Sequence, residues 1–192
     1  AGALVRGLGS ENIDYRLRNA EYEASTGSAK YLGMLISELS HLQGALVVGS
    51  NLRKDHPLFA QRIRQAVKAG CVVSVINSKH ADWAMPIGHM CVRPANEWAD
   101  SLADVAAAIA AEKNITSPWA GNVTDPAKAI ASSLLNLERV AVLLGNAAAH
   151  HPQAARLLAI SSWISEQTGA SVGYLTEAAN TVGAQLAGAL PG

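Results

Sequence analysis

The order of apolar runs, turn residues and helix signals in the first half of the chain constrains the fold most. Residues 45–48 are a short apolar run that ends at Gly49, which is typical of a buried strand entering a turn. Pro57 stands where a helix would begin, apolar residues follow at a spacing of four, and Gly70 is placed to end that helix. Residues 71–76 are rich in valine and predict a second strand. These elements have the length of a βαβ unit, which implies a right-handed crossover and a parallel sheet.

The second half of the chain repeats this pattern. Residues 140–144 are apolar and end at Gly145, a helix is predicted from about Pro152 to about Thr168, and residues 170–175 predict a further strand. We therefore predict an α/β fold, a doubly wound, mainly parallel sheet built from two related βαβ units with helices on both faces.

A strand and a helix are predicted to connect the two units. Residues 90–93 are a shorter strand candidate before Pro94, and Asn96 can cap a helix whose apolar face includes Trp98. Residues 114–124 then predict a loop.

The first 43 residues lack this regularity. Glycines interrupt a helical pattern there, and residues 21–30 are polar and predict a loop. We expect residues 1–43 to be an N-terminal helical and loop segment from the adjoining part of a larger subunit, and residues 44–192 to be an α/β dinucleotide-binding-like domain. Because the chain starts at Ala1 without a methionine and stops at a turn signal, we expect it to be a piece excised from a longer protein.

Composition and charge exclude several classes of function. Hydrophobic residues make up 49% of the chain and aromatic residues only 5%, which favours layers of small aliphatic side chains over an aromatic-rich sandwich. The formal net charge is zero and the charges are scattered, so we predict no nucleic-acid partner. No apolar run reaches the roughly 18 residues of a membrane span, so we predict no direct membrane insertion.

Cysteine and histidine spacing argues against a metal centre. Cys71 and Cys91 each lie in an apolar, strand-like stretch outside any CxxC motif. We interpret both as buried reduced thiols, with a metal or redox pair as the alternative. The six histidines show no HExxH or paired-ligand spacing, and we interpret His56 and His151 as residues that help to begin helices. We therefore predict no metal site.

Turn residues after the predicted strands are the candidate ligand site, because a doubly wound sheet binds ligands beyond the carboxyl ends of its strands. Glycine allows close backbone approach, and serine and asparagine offer hydrogen bonds. The candidate turns are Gly49-Ser50-Asn51, Asn77-Ser78-Lys79 and Gly145-Asn146. The same residues are ordinary turn formers, and the sequence has neither a GxGxxG motif after a strand nor a GxxxxGK[ST] loop, so a ligand role stays open.

Several segments, taken in order, resemble a known family. Residues 45–51, the helix that ends at Gly70 and the strand after it are similar to the pterin-dinucleotide half of molybdopterin oxidoreductases such as formate dehydrogenases. The most specific match is Ala-Asn-Thr-Val-Gly-Ala at residues 179–184, followed by Gly-Ala-Leu-Pro at residues 188–191. The resemblance implies the pterin-domain fold of that family.

Three segments resemble one branch of this family more closely. Residues 7–14, 48–57 and 177–180 are similar to the large iron-sulfur subunit of bacterial NADH:quinone oxidoreductase, the respiratory complex I. The resemblance implies a parent enzyme that passes electrons from NADH to quinone, with iron-sulfur clusters in an upstream part of the subunit and no cofactor in this piece. It also implies that the partners are other subunits of the peripheral arm, on the cytoplasmic side of the bacterial inner membrane.

The departures from the family pattern fall on its reactive positions. The family's cysteine or selenocysteine metal ligand and its histidine align with Ala20 and Glu21, and its catalytic arginine aligns with Thr176. An aspartate that holds the guanosine portion of the cofactor aligns with Asn77, which lacks the charge. The resemblance therefore implies a degenerate, empty molybdopterin site without catalytic residues. The vestigial cofactor-binding candidates are Gly49, Ser50, Asn51, Asn77, Gly145 and Asn180.

Two alternatives stay open. The domain could retain nucleotide or pterin-dinucleotide binding, or it could be a fragment of a functional molybdopterin oxidoreductase in which Ser10, Asp14 or Ser25 replaces the thiolate ligand. The second alternative is disfavoured, because Ala20 occupies the ligand position itself and a methyl group has no donor electrons.

Overall fold

A computed structural model describes residues 1–15 and 31–190. The strands are β1 (Gly44–Val48), β2 (Val72–Asn77), β3 (His89–Val92), β4 (Val140–Leu144) and β5 (Ser171–Tyr174). The α-helices are α1 (Gly2–Gly7), α2 (Leu52–Asp55), α3 (Pro57–Lys68), α4 (Trp98–Lys113), α5 (Asp125–Ser132), α6 (Asn146–Ala149), α7 (Ala154–Thr168) and α8 (Thr181–Leu186). Short 3₁₀ helices span Ile36–His41 and Ala95–Glu97. None of the helices in the described ranges is both long and apolar enough to cross a bilayer.

The strands form one sheet in the order β3-β2-β1-β4-β5, and every neighbouring pair is parallel. The central strand β1 pairs with β2 on one side and with β4 on the other, so that Gly44 lies beside both Val72 and Val140. This confirms the predicted parallel sheet. The connections β1-α3-β2 and β4-α7-β5 each join adjacent parallel strands, and the relatedness of these two units stays a prediction.

Helices cover both faces of the sheet. On one face, the 3₁₀ helix Ile36–His41 and α3 pack over Ala45 and Val47. On the other face, α4, α5 and α7 pack over Leu46 and Val48. Successive side chains of a strand point to opposite faces, so a strand buried on both faces is apolar at every position. The central strands are buried throughout, which explains why they appear in the sequence as continuous apolar runs.

The second and third strands are each shifted by one residue from their predicted positions. Cys71 N–H donates to Ala66 O at 3.0 Å, so Cys71 completes the turn after α3 and strand pairing begins at Val72. The third strand begins earlier than predicted because His89 already pairs with Ser74 of β2.

Short helical turns follow β1 and β4, at or directly after the turn residues that the sequence predicts there. The backbone N–H groups of Lys54 and Asp55 both donate to Asn51 O, and these bonds close α2. After β4, His150 N–H donates to Asn146 O at 3.0 Å and closes α6. The long helix α7 consequently begins two residues later than predicted.

α5 is not among the predicted elements, although Thr124 and Pro126 are typical residues for the start of a helix. Its N-cap is Thr124, whose Oγ1 accepts a hydrogen bond from Ala127 N–H at 3.3 Å, and Pro126 lies in its first turn. The preceding loop over residues 114–124 is confirmed, and it begins at Asn114, which ends α4 in the left-handed conformation with φ of 54°.

Both cysteines carry free thiols. Cys71 is buried as predicted, and burial raises the pKa of its thiol to about 11. Cys91 is only half-buried, so the expectation of a buried thiol is wrong for this residue. It lies on β3, at the edge of the sheet, where fewer elements cover it.

Residues 31–33 cover the outer edge of β5. Tyr174 N–H donates to Tyr31 O at 2.8 Å, so this segment pairs with the strand at one point. A Cβ on Gly173 would lie 1.7 Å from Leu32 O, and a Cβ on Gly33 would lie 2.1 Å from a carbonyl oxygen of β5. Both positions therefore require glycine.

The segment before β1 also supplies part of the core. Leu39 and Leu42 are buried, and the 3₁₀ helix that carries Leu39 packs on α3. The predicted boundary between residues 43 and 44 stays a prediction, and the loop predicted over residues 21–30 lies outside the described residues.

Candidate functional site

The site of interest lies at the carboxyl ends of β1, the central strand, and of β4, its neighbour. β1 leads into α3 on one face of the sheet, whereas β4 leads into α7 on the other face. Neighbouring parallel strands whose connections diverge in this way form the usual ligand crevice of a doubly wound sheet. Residues 49–51 follow β1, residues 145–146 follow β4, and Asn77 is the last residue of β2; we call this set the carboxyl rim.

The glycines of the carboxyl rim hold its loops in direct contact. Gly49 has φ of +61°, and a Cβ there would lie 2.6 Å from the Trp98 ring and 2.7 Å from Ala148 N. A Cβ on Gly145 would lie 2.3 Å from the Ser50 Cβ. The loops after β1 and β4 can therefore meet only because both glycines lack a side chain.

Asn77 uses its side chain to bind the rim together. This residue is buried, and its Nδ2 donates to Ser50 O at 2.8 Å. Its Oδ1 accepts from Ser78 N–H at 2.8 Å. The amide thus links the end of β2 to the end of β1, and a ligand would have to compete with these two bonds.

Three other polar oxygens of the rim have no hydrogen-bond partner among the described residues. They are Ser50 Oγ, Asn51 Oδ1 and Asn146 Oδ1, and all three are buried. A buried polar atom without a partner costs about 1–3 kcal/mol, so such atoms are places for water or a ligand. Two amide oxygens and a hydroxyl fit the hydroxyl and N–H donors of a ribose or a purine base.

Two histidines beside the rim contact the segment that follows β5. His56 Nε2 lies 3.1 Å from Thr176 O, and because a carbonyl oxygen only accepts, Nε2 carries the hydrogen. Burial lowers the pKa of His56 below its ordinary value of 6.5, while the bond to Thr176 O acts in the opposite direction. His150 Nε2 lies 2.7 Å from a carboxylate oxygen of Glu177. The other ring nitrogen of each histidine is buried without a partner among the described residues.

These contacts change the interpretation of the histidines. His56 stands at the start of α3, but its side chain makes no capping bond there. His151 does assist the start of α7, since its Nδ1 accepts from Gln153 N–H at 3.0 Å. The partnership of His150 with Glu177 joins residues 27 positions apart, and no local spacing signals it.

The other candidate positions lie apart from the buried rim or outside the described residues. Asn180 is exposed, and it precedes α8, where its backbone oxygen accepts from Ala184 N–H. Thr176 is half-buried, and the oxygen that binds His56 belongs to its backbone. Ser10 accepts a hydrogen bond from Asn12 N–H in the N-terminal segment.

The predicted positions Ala20, Glu21 and Ser25 lie outside the described residues. Within residues 1–15 and 31–190, the structure contains no group of three or more histidine, cysteine, aspartate or glutamate side chains placed to hold a metal ion.

A comparison with protein-family models matches residues 1–191 to a family described as molybdopterin oxidoreductase. A search among curated proteins finds no match.

Proposed function

The chain belongs to the molybdopterin oxidoreductase family, and from this premise we propose that it is part of the large iron-sulfur subunit of a bacterial NADH:quinone oxidoreductase. In this proposal the domain is a structural scaffold with a degenerate, empty cofactor site, and it is not catalytic by itself. Its partners are other subunits of the peripheral arm, on the cytoplasmic side of the inner membrane. The iron-sulfur clusters of the parent subunit lie upstream of this piece.

The observation that carries the scaffold proposal is the packing of the carboxyl rim on itself. Gly145 lies against Ser50 so closely that a Cβ would be 2.3 Å from the serine Cβ. Asn77, which stands in place of the family's aspartate, donates a hydrogen bond from its amide to Ser50 O and accepts one from Ser78 N–H. The groups that would grip a dinucleotide are thus partly committed to joining the strands.

The side-chain chemistry of the vacated positions supports the same proposal. Ala20 offers no donor atom to a metal, and Glu21 cannot supply the proton-transfer range of an imidazole near neutral pH. Thr176 cannot supply the cation that would orient an anionic substrate. The residues present therefore do not fit a reactive molybdenum centre.

Elemental analysis of the purified parent subunit tests the proposed absence of the metal. We expect iron from the clusters and no stoichiometric molybdenum or tungsten. One molybdenum or tungsten atom per subunit would overturn the scaffold proposal.

Two substitutions in the whole complex test the structural role of the rim. Gly145→Ala inserts a Cβ against Ser50 and should reduce the amount of assembled complex. Ser50→Ala, the matched control, removes only a hydroxyl that none of the described residues bonds, and NADH:quinone turnover per assembled complex should be unchanged. Loss of turnover in fully assembled Ser50→Ala complex would contradict a scaffold.

The partnerless oxygens favour a second candidate function, which is retained binding of a nucleotide. Ser50 Oγ, Asn51 Oδ1 and Asn146 Oδ1 could accept bonds from the hydroxyl and N–H groups of such a ligand. Calorimetric titration with guanine and adenine nucleotides decides between the two candidates. Saturable heat in the micromolar range that weakens in Asn146→Ala would establish the binder, and the absence of heat supports the scaffold.

A further inference from the structure

A cavity of about 280 Å³ lies at the β3 edge of the sheet, enclosed by β3, α4 and the start of α5. None of the residues of the carboxyl rim lines it. Its volume is just below the range of about 300–1,000 Å³ that is usual for small-molecule sites, so it suits a compact ligand. Because its lining includes no rim residue, the cavity is separate from the site proposed above, and an inference about it does not depend on that proposal.

One face of α4 and a closely packed loop build this cavity. Ser101, Asp104 and Val105 are three and four residues apart, so they share a face of the helix. Gly121 brings the loop against α4, where a Cβ would lie 2.3 Å from a backbone oxygen of the helix. The next residue, Asn122, then donates its backbone N–H to Asp104 Oδ1 at 2.6 Å. This bond holds the carboxylate in place at the cavity wall.

The wall carries one cation and one anion. Arg93 follows β3, and its nearest acidic partner, Glu97, is 3.8 Å away and itself partly exposed, so the pairing is loose. Asp104 Oδ1 accepts from Asn122 N–H, and no residue in the described ranges is shown bonded to its second carboxylate oxygen. The cavity thus presents opposite charges at separate points of its lining.

The rest of the lining combines hydroxyl and apolar groups. Ser101 Oγ donates to Glu97 O at 2.9 Å and keeps its lone pairs, whereas Thr124 Oγ1 accepts from Ala127 N–H and keeps its hydrogen. Val105 and Ile130 are buried and supply an apolar wall. A ligand that satisfies this lining needs an anionic group, a cationic group and an apolar body.

We infer that the cavity binds a small zwitterion with an apolar side chain, of the α-amino-acid class. The carboxylate of the ligand would pair with Arg93, its ammonium group would pair with Asp104, and its side chain would contact Val105 and Ile130. An amino acid of the size of leucine carries these three features in one compact molecule, which suits a cavity of about 280 Å³.

Titration of the 192-residue chain with leucine, followed by two-dimensional NMR, tests this inference. We expect saturable shifts of the Val105 and Thr124 amides, with a dissociation constant of roughly millimolar or tighter. Two analogues each lack one charge: 4-methylpentanoate has no ammonium group, and 3-methylbutylamine has no carboxylate. Each should bind about three- to fivefold more weakly, as expected for loss of one partly exposed ion pair.

Two variants assign the effect to the cavity. Asp104→Asn keeps an oxygen for Asn122 N–H but removes the charge, so it should bind leucine and 4-methylpentanoate equally. Ser101→Met fills the cavity at a half-buried position and should abolish the shifts, with a thermal melt to verify folding. If Ser101→Met fails to fold, the analogue series with Asp104→Asn still decides the question. Absence of saturable shifts, or an unchanged preference for leucine in Asp104→Asn, would overturn the inference.

Discussion

The two edges of the sheet differ in how the chain covers them. At the β5 edge, residues 31–33 lie against the strand, with Tyr31 O bonded to Tyr174 N–H and two glycines in close contact. At the β3 edge, the sheet ends with a strand of four residues that borders a cavity, and Val92 is 36% exposed. Exposed strand edges favour unwanted pairing, and a covering segment or a very short strand limits it. Both edge strands have only four residues, and among the described residues the β5 edge is also covered by residues 31–33.

This difference shows where the molecule can accommodate change. The β5 edge is held by backbone contacts that leave no room for a side chain, because a Cβ on Gly173 would lie 1.7 Å from Leu32 O. The β3 edge borders a cavity lined by side chains, and these side chains can adapt to a ligand. We therefore expect substitutions to be costly at the β5 edge and tolerated at the β3 edge.

Gly33→Ala should have the largest effect. Its Cβ would lie 2.1 Å from Val172 O, so the covering segment must move away from β5. Gly9→Ala is the matched control, since Gly9 has the same φ of 78° but a Cβ there meets nothing within 4 Å. We expect Gly33→Ala to be less stable than the control by about 2 kcal/mol in urea unfolding. Equal stabilities would show that the contact between the segment and β5 does not hold in solution.

Hydrogen exchange should separate the two edges next. Tyr174 N–H points away from β4 and is bonded to Tyr31 O, whereas Arg93 N–H bonds to β2 and the preceding Val92 N–H therefore points away from the sheet. We expect the Tyr174 amide to exchange at least about a hundredfold more slowly than the Val92 amide after correction for intrinsic rates. Similar protection of both amides would mean that the β3 edge is also covered.

The pH dependence of stability should reveal the burial of His56, whose ring is bonded to Thr176 O on the β5 side. Because burial lowers the pKa of His56 below 6.5, the unfolded chain binds a proton that the folded ring resists. The free energy of unfolding should therefore fall as the pH drops below 6.5 through the folded pKa, by at most about 1.4 kcal/mol per pH unit. Above pH 6.5, His56 should add no pH dependence to the stability. Urea unfolding of His56→Gln should lack this component, and an identical slope in both proteins would exclude His56 as its source.

Val92→Lys should have the smallest effect. The side chain is exposed at the end of β3, and a lysine there can reach solvent. We expect a change of less than about 0.5 kcal/mol in the free energy of unfolding. A larger loss would indicate that another part of the chain covers this edge.

Much of the sheet could be predicted because its signals are local. Apolar runs ended by glycine locate β1 and β4, and Pro57 and Gly70 delimit α3. The meeting of Ser50, Asn77 and Gly145 at one rim follows from the rule that carboxyl ends of parallel strands share an edge. None of these inferences needs a contact between distant parts of the chain.

The remaining features depend on contacts that no local pattern contains. Gly33 and Gly173 are ordinary glycines in the sequence, and only their close approach in space, despite their wide separation along the chain, gives them a role. The hydrogen bond from the Asn77 amide to Ser50 O and the bond from His56 to Thr176 O likewise arise from tertiary packing. A polar turn residue in a sequence can bind a ligand or its own fold, and the sequence does not distinguish these uses.

The indole of Trp98 contacts the carboxyl rim and is bonded to the backbone of Arg93, a residue that lines the β3 cavity. Its ring fills the place where a Gly49 side chain would stand, its Nε1–H donates to Arg93 O at 3.1 Å, and it stacks on His151. A molecule that displaces Arg93 would therefore tilt the ring and alter the spacing of the rim. By thermodynamic reciprocity, a ligand that moved the ring in this way would change the affinity of the rim by the same factor as occupation of the rim changed its own.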